Sequence, residues 1–153
     1  MSTEPASGLV APAPGLTSEA SAFWEATAKG RFLIGHCPRC ATWFWPPNRA
    51  YCPEGGHPAE LREASGLGTV YSWTLTRRGV GAYAEAGSYV LAYVELAEGP
   101  TMLTNLVGVD PEAIEIDLPV RVVLEPTGGV GSPALPRFRP DRTSPNPREG
   151  SSA

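Results

Sequence analysis

Two cysteines two residues apart, Cys37-Pro38-Arg39-Cys40, constrain the fold of this chain more than any other feature. A turn of that length aims both sulfurs at one ion, and the proline inside it reads as a zinc knuckle. Cys52 follows after a spacer of eleven residues, close to the span of a small β-hairpin, and His57 comes five residues later. The second knuckle begins as Cys52-Pro53-Glu54, but Gly55 stands where a further cysteine would complete it. His57 is the nearest replacement, since imidazole is an ordinary zinc ligand. His36 is a poorer candidate, because neighbouring side chains diverge in an extended segment. The expected set is Cys37, Cys40, Cys52 and His57 around one structural zinc ion. Three reduced thiols left from an eroded site, beside an exposed imidazole, are the competing explanation. A closed four-ligand site offers water no open position and so implies structure rather than catalysis. Rubredoxin-type electron transfer needs iron on four thiolates, and this chain has three cysteines.

The rest of the composition bounds the function. The 153 residues allow one domain with a small appendage. Residues 1–16 and 140–153 are too poor in apolar side chains to offset the entropy of ordering, so both read as disordered tails. Twelve basic against sixteen acidic residues give a formal charge of −4, which argues against a general polyanion binder. No apolar run is long enough to span a bilayer, and no secretory or mitochondrial leader pattern opens the sequence. Unpaired cysteines in a Cys-x-x-Cys arrangement fit a reducing compartment, and the cytoplasm is the expected location.

Thr17 or Ser18 can cap a helix within residues 17–30, with Phe23, Ala26 and Thr27 on one face and Gly30 past its end. Residues 31–62 form the ribbon, with strands at 31–36 and 42–45, the second stopped by Pro46-Pro47. So small a ribbon has almost no core and depends on metal for its shape. From 63 to 139 the pattern is β. Tyr71, Trp73 and Leu75 alternate with Ser72, Thr74 and Thr76 along one strand. Residues 89–96 are apolar on both faces, as in a central strand. Asp110-Pro111-Glu112 marks a single helical turn between the third and fourth strands. Five strands with that turn after the third predict a mainly β protein built on a closed OB-fold barrel, with an open sandwich as the alternative.

Several pieces occur together in one order: Phe23-Trp24-Glu25, Cys37-Pro-Arg-Cys40, Pro46-Pro47, Cys52-Pro53, Gly66-x-Gly68-Thr69-Val70-Tyr71-Ser72, Leu103-Thr104-Asn105-Leu106-Val107-Gly108 and Leu135-Pro136-Arg137-Phe138-Arg139-Pro140. Over residues 20–140 that order resembles the acyl-CoA-associated family that joins a rubredoxin-like zinc ribbon to an OB-fold, long catalogued as a domain of unknown function. The resemblance implies a non-catalytic accessory subunit in a hetero-oligomer with a thiolase-like enzyme: a thiolase, acyltransferase or aldolase acting on acyl-CoA. It also implies a shared coenzyme A thioester ligand. Two departures stand out. Gly55 occupies the place of the family's fourth cysteine, and Ala41 follows Cys40 where the family has glycine.

For phosphate contacts to coenzyme A, Arg77, Arg78, Arg137 and Arg139 are the candidates, because guanidinium matches phosphate geometry; solvated surface arginines are the alternative. Phe23, Trp24, Trp43 and Trp45 are the candidates for partner contact, with packing between helix and ribbon as the alternative. No nucleophile, His–Asp pairing, Rossmann fingerprint or P-loop pattern is present. A single-stranded nucleic-acid-binding ribbon–OB module is the rival function, disfavoured by the acidic balance. A metal-dependent hydrolase with an open fourth metal position would require His57 to be a non-ligand.

Overall fold

The computed structural model describes residues 7–143; parts of both expected tails, 1–6 and 144–153, lie outside them. Helix α1 spans Ser21–Ala28 and is shorter than expected. Its cap residue is Ala20, without a side-chain cap bond, so neither Thr17 nor Ser18 caps it. Thr17 contributes its carbonyl instead, accepting from Ala20 N at 3.2 Å. Phe23, Ala26 and Thr27 form the buried face, and Gly30 takes the left-handed conformation (φ 75°) that ends the helix.

The ribbon is a three-stranded antiparallel sheet ordered β2-β1-β3, with β1 Leu33–Cys37, β2 Thr42–Phe44 and β3 Glu60–Glu63. Phe44 pairs with Gly35, and a Cβ on Gly35 would lie 2.2 Å from the Phe44 ring. Only glycine therefore fits beneath that ring. Strand β3 is an addition to the expected hairpin. Its charged residues carry no strand signal, but they satisfy the second edge of β1, with His36 opposite Glu60 and Leu33 opposite Glu63.

The barrel comprises β4 Leu67–Thr76, β5 Tyr89–Leu96, β6 Thr101–Leu106, β7 Pro119–Pro126 and β8 Ala134–Pro140. It closes in the order β4-β5-β6-β8-β7. A 3₁₀ turn at Pro111–Ala113 follows the third barrel strand, started by the Asp110 carboxylate accepting from Glu112 N at 2.9 Å. This is the OB-fold expected from the sequence. Two details differ. A β-bulge between Val70 and Ser72 breaks the alternation, so exposed Tyr71 parts from Trp73 and Leu75, which pack against the core. Strand β5 buries one face, Val90, Ala92, Val94 and Leu96, while Tyr93 on the other is 47% exposed.

Helix, ribbon and barrel share one core: Phe23 and Phe32 and Ile34 pack in the same cluster as Val70, Val94, Met102 and Phe138. The Phe32 and Phe138 rings meet edge to face at 6.4 Å. Thr27 Oγ1 donates to Trp24 O at 2.8 Å and accepts from Ala134 N at 3.1 Å, tying α1 to β8. Residues 7–10, in the expected N-terminal tail, lie against the barrel. Ser7 N donates to Glu125 Oε1, and the carbonyls of Leu9 and Val10 accept from Arg137.

Candidate metal centre and surrounding surfaces

Each knuckle folds as its sequence requires. Cys40 N donates to Cys37 Sγ at 3.3 Å, and Gly55 N to Cys52 Sγ at 3.5 Å, the same N–H···S bond in both turns. Each turn then needs a left-handed residue, and Ala41 (φ 56°) and Gly56 (φ 65°) supply it. Ala41 bears a cost of about 1 kcal/mol that glycine would avoid. The second knuckle folds back through Cys52 N donating to His57 O at 2.8 Å. That bond returns the His57 ring over the gap left by Gly55.

His57 Nδ1 lies 3.2 Å from Cys40 Sγ and 4.0 Å from Cys37 Sγ, and the three donor atoms fall within 4.8 Å of one another. A tetrahedral ion with bonds of about 2.0–2.3 Å holds its ligands roughly 3.5–4 Å apart, so this spacing fits zinc. A Cβ on Gly55 would sit 2.6 Å from His57 Nδ1 and 2.8 Å from Cys40 Sγ. The imidazole thus fills the volume that a cysteine at 55 would need. Cys52 is buried in the opposing knuckle and stands outside the set of three, though its sulfur acts on Cys40. The Cys40 backbone N–H is the main influence pulling the Cys37 thiol down to about 7, which favours thiolate. Cys40 is pushed up to about 11, chiefly by its hydrogen bond with the Cys37 side chain and then by burial. His36 faces away, flanked in register by Trp43 and Glu60. Its ring lies 4.6 Å from that of Trp43.

The four arginines expected at phosphate do not gather. Arg137 is 1% exposed and binds Glu125, the Leu9 and Val10 carbonyls, and the Tyr83 hydroxyl. It acts as an internal counter-ion, so the phosphate role does not fit it. Arg77 lines a cleft beside Asp110 and Glu112, and Arg78 is exposed in the β4–β5 loop. Arg139 instead meets Arg121 and Arg142 at the far end of β7 and β8.

The aromatic candidates turn mostly inward. Phe23 is buried, stacked edge to face on Trp24 at 4.9 Å and Trp45 at 5.4 Å. Trp24, Trp43 and Trp45 are half-buried against the shared core, and Arg62 covers Trp43. The exposed apolar row lies elsewhere: Tyr71 (62% exposed), Tyr93 and Leu103 (54%) on the adjacent strands β4, β5 and β6. Tyr93 and Leu103 are direct cross-strand partners, and Tyr71 sits at the bulge, next to Tyr93's partner Ser72. Sequence periodicity missed this row because the bulge inverts the face.

Residues 24–55 match the ChsH2 rubredoxin-like zinc ribbon domain, and residues 61–125 match the ChsH2 C-terminal OB-fold domain. A DUF35 domain-containing scaffold protein of Pyrococcus furiosus is 33% identical over 111 residues, covering 71% of this chain and 80% of that protein. This chain belongs to the DUF35 family. A Thermomonospora curvata protein named "Probable enoyl-CoA hydratase alpha subunit" is 38% identical over 140 residues, 90% of this chain. This DUF35 chain spans 42% of that relative's length. Among solved structures, a chain of the Ltp2-ChsH2(DUF35) aldolase aligns with a TM-score of 0.71 and 35% identity, covering 83% of this chain and 98% of that one. No helix among the described residues is long and apolar enough to cross a membrane.

Proposed function

We propose that this DUF35 chain is a non-catalytic accessory subunit that docks on a thiolase-like acyl-CoA enzyme and helps wall its acyl-CoA channel. The observation that carries this reading is the uncovered row Tyr71, Tyr93 and Leu103 on one face of the barrel. Tyrosine-rich, desolvable patches are where interface energy concentrates. Both histidines are already committed, His57 to the thiols and His36 to Trp43 and Glu60. The relatives named as scaffold proteins and the aldolase that contains ChsH2 support an enzyme partner.

In this reading one zinc ion is held by Cys37, Cys40, Cys52 and His57, with three thiolates and a neutral imidazole. When bound, the ion supplies cross-linking and no reactive water. The chain's own residues do the remaining work. The knuckles fix the ribbon, and the common core fixes ribbon against barrel. The exposed row then presents a rigid surface, and the partner brings the reacting groups.

Co-expression with thiolase, aldolase and hydratase subunits, followed by size exclusion with light scattering, tests the assignment. Co-elution with one of them is expected. Tyr93→Glu with Leu103→Glu, both solvent-facing, should weaken the complex by about a hundredfold, consistent with about 2 kcal/mol or more for a buried anchor. Persistent monomer with every candidate would sink the proposal. Tyr71 and Tyr93 would also suit base stacking, so tight, salt-sensitive oligonucleotide binding would favour the nucleic-acid reading.

A further inference from the structure

Residues 7–10 lie on the barrel with little apolar burial. Ser7 and Gly8 are exposed, Val10 is 39% exposed and Leu9 is half-buried. One flank of the segment borders a cleft of about 490 Å³. The hydrogen bonds that hold it run through its main chain. Glu125 Oε1 accepts from Ser7 N at 3.1 Å, Arg137 Nη1 donates to Leu9 O at 3.1 Å, and Arg137 Nη2 donates to Val10 O. Those two barrel side chains are themselves an ion pair, each almost fully buried. The same Nη2 also donates to the Tyr83 hydroxyl, in the β4–β5 loop, at 3.3 Å. Gly8 takes the left-handed conformation (φ 80°), so a kink stands between the Ser7 N–H and the two carbonyls.

A buried ion pair is a poor device for stability alone, because well-packed apolar residues of the same volume serve as well or better. This pair does what apolar residues cannot: it reads a backbone N–H on one side and two successive backbone carbonyls on the other. Side-chain identity hardly enters, which is how peptide-binding sites take segments of differing sequence. Position in the fold agrees. OB barrels grip oligomeric ligands with the connections after their first and fourth strands. Tyr83 lies in the first of these, and Glu125 is the penultimate residue of β7, which leads into the other. A nucleic-acid backbone would bring phosphate against the Glu125 carboxylate, whereas a polypeptide supplies the N–H it accepts from. We infer that Glu125, Arg137 and Tyr83 form a binding site for the main chain of a short, glycine-kinked peptide. Residues 7–10 are its intrachain occupant, a strap, and a like segment of a partner polypeptide takes the site when the strap lifts. The entropy of ordering the strap offsets much of what its hydrogen bonds contribute, so exchange leaves the barrel folded.

NMR titration of the full, zinc-loaded, isotope-labelled chain with acetyl-Ser-Gly-Leu-Val-Ala-Pro-amide, the sequence of residues 7–12, is the test. The Arg137 Nε–H and the Tyr83 and Glu125 amides report on the site. The unaltered chain should bind the peptide weakly, because its own strap competes at an effective concentration in the millimolar range. Gly8→Pro cannot adopt a φ of 80° and should loosen the strap, tightening peptide binding about tenfold. Gly8→Val, strained but not locked, should fall between the two. Gly8 is exposed and a Cβ there meets nothing within 4 Å, so both variants spare the barrel's packing. Within the peptide, Val10→Ala should change affinity by less than about threefold, since its carbonyl is what Arg137 reads. Gly8→Pro in the peptide should abolish binding. No shift at the three reporters in any chain, equal affinity for the unaltered and Gly8→Pro chains, or undiminished binding of the Gly8→Pro peptide would overturn the site. So would saturation of the reporters by oligothymidine in place of the peptide, which would assign these loops to nucleic acid.

Discussion

The barrel closes on its own backbone, with β4 paired to both β5 and β7 and β8 paired to both β6 and β7. The ribbon tip between Cys37 and His57 has no such ring. Beyond the short pairing of β2 with β1, it is held by two N–H···S bonds, the Thr42–Glu54 bond, a few turn hydrogen bonds and the isolated bridge Tyr51–Pro58. The base of the ribbon, Phe32 and Ile34, borrows the barrel's core. Apolar burial therefore sustains one end of the ribbon, and metal ligation must sustain the other.

The most severe way to break that contrast is to remove the ion. Structural zinc contributes on the order of 10 kcal/mol in small ribbons and fingers. Chelation or Cys37→Ser should release amide protection across residues 37–57 while β4, β5 and β6 stay protected in hydrogen exchange. Uniform loss across both regions would show that the barrel depends on the tip. Next in size, Arg137→Met should cost the barrel about 3–5 kcal/mol in urea unfolding, because Glu125 would be left buried without its counter-ion. Zinc affinity should be unaffected. A smaller effect belongs to Gly55→Ala, whose methyl would press on His57 and Cys40. Competition with a chromophoric chelator should show about a tenfold weaker site, roughly 1.4 kcal/mol. Smallest of all, Ala41→Gly should relieve the left-handed strain and add about 0.5 kcal/mol, once glycine's extra unfolded-state entropy is counted.

Much of this architecture was legible where local chemistry decides it. The knuckle spacing, the proline stop after β2, the Asp110-Pro111 turn and the five barrel strands all follow from near neighbours in sequence. His57 was legible as a candidate, but its fit depends on the empty volume at Gly55, which is a property of two turns folded together. Strand β3 was hidden because Glu60–Glu63 is held by pairing rather than by apolar side chains. Arg137 read as a surface residue because nothing adjacent to it signals burial; Glu125 and the carbonyls of residues 9 and 10 come from distant segments. The Arg121–Arg139 pairing likewise exists only once β7 and β8 are in register.

The hydrogen bond between Thr27 and Ala134 joins positions 107 residues apart. During synthesis the helix therefore leaves the ribosome long before the strand it seats against. The two knuckles, some twenty residues from end to end, can close around their ion early, whereas the cylinder must wait for its last stave. A nascent chain would carry a finished clasp on an unfinished body, with Phe23 and Phe32 exposed in the interval.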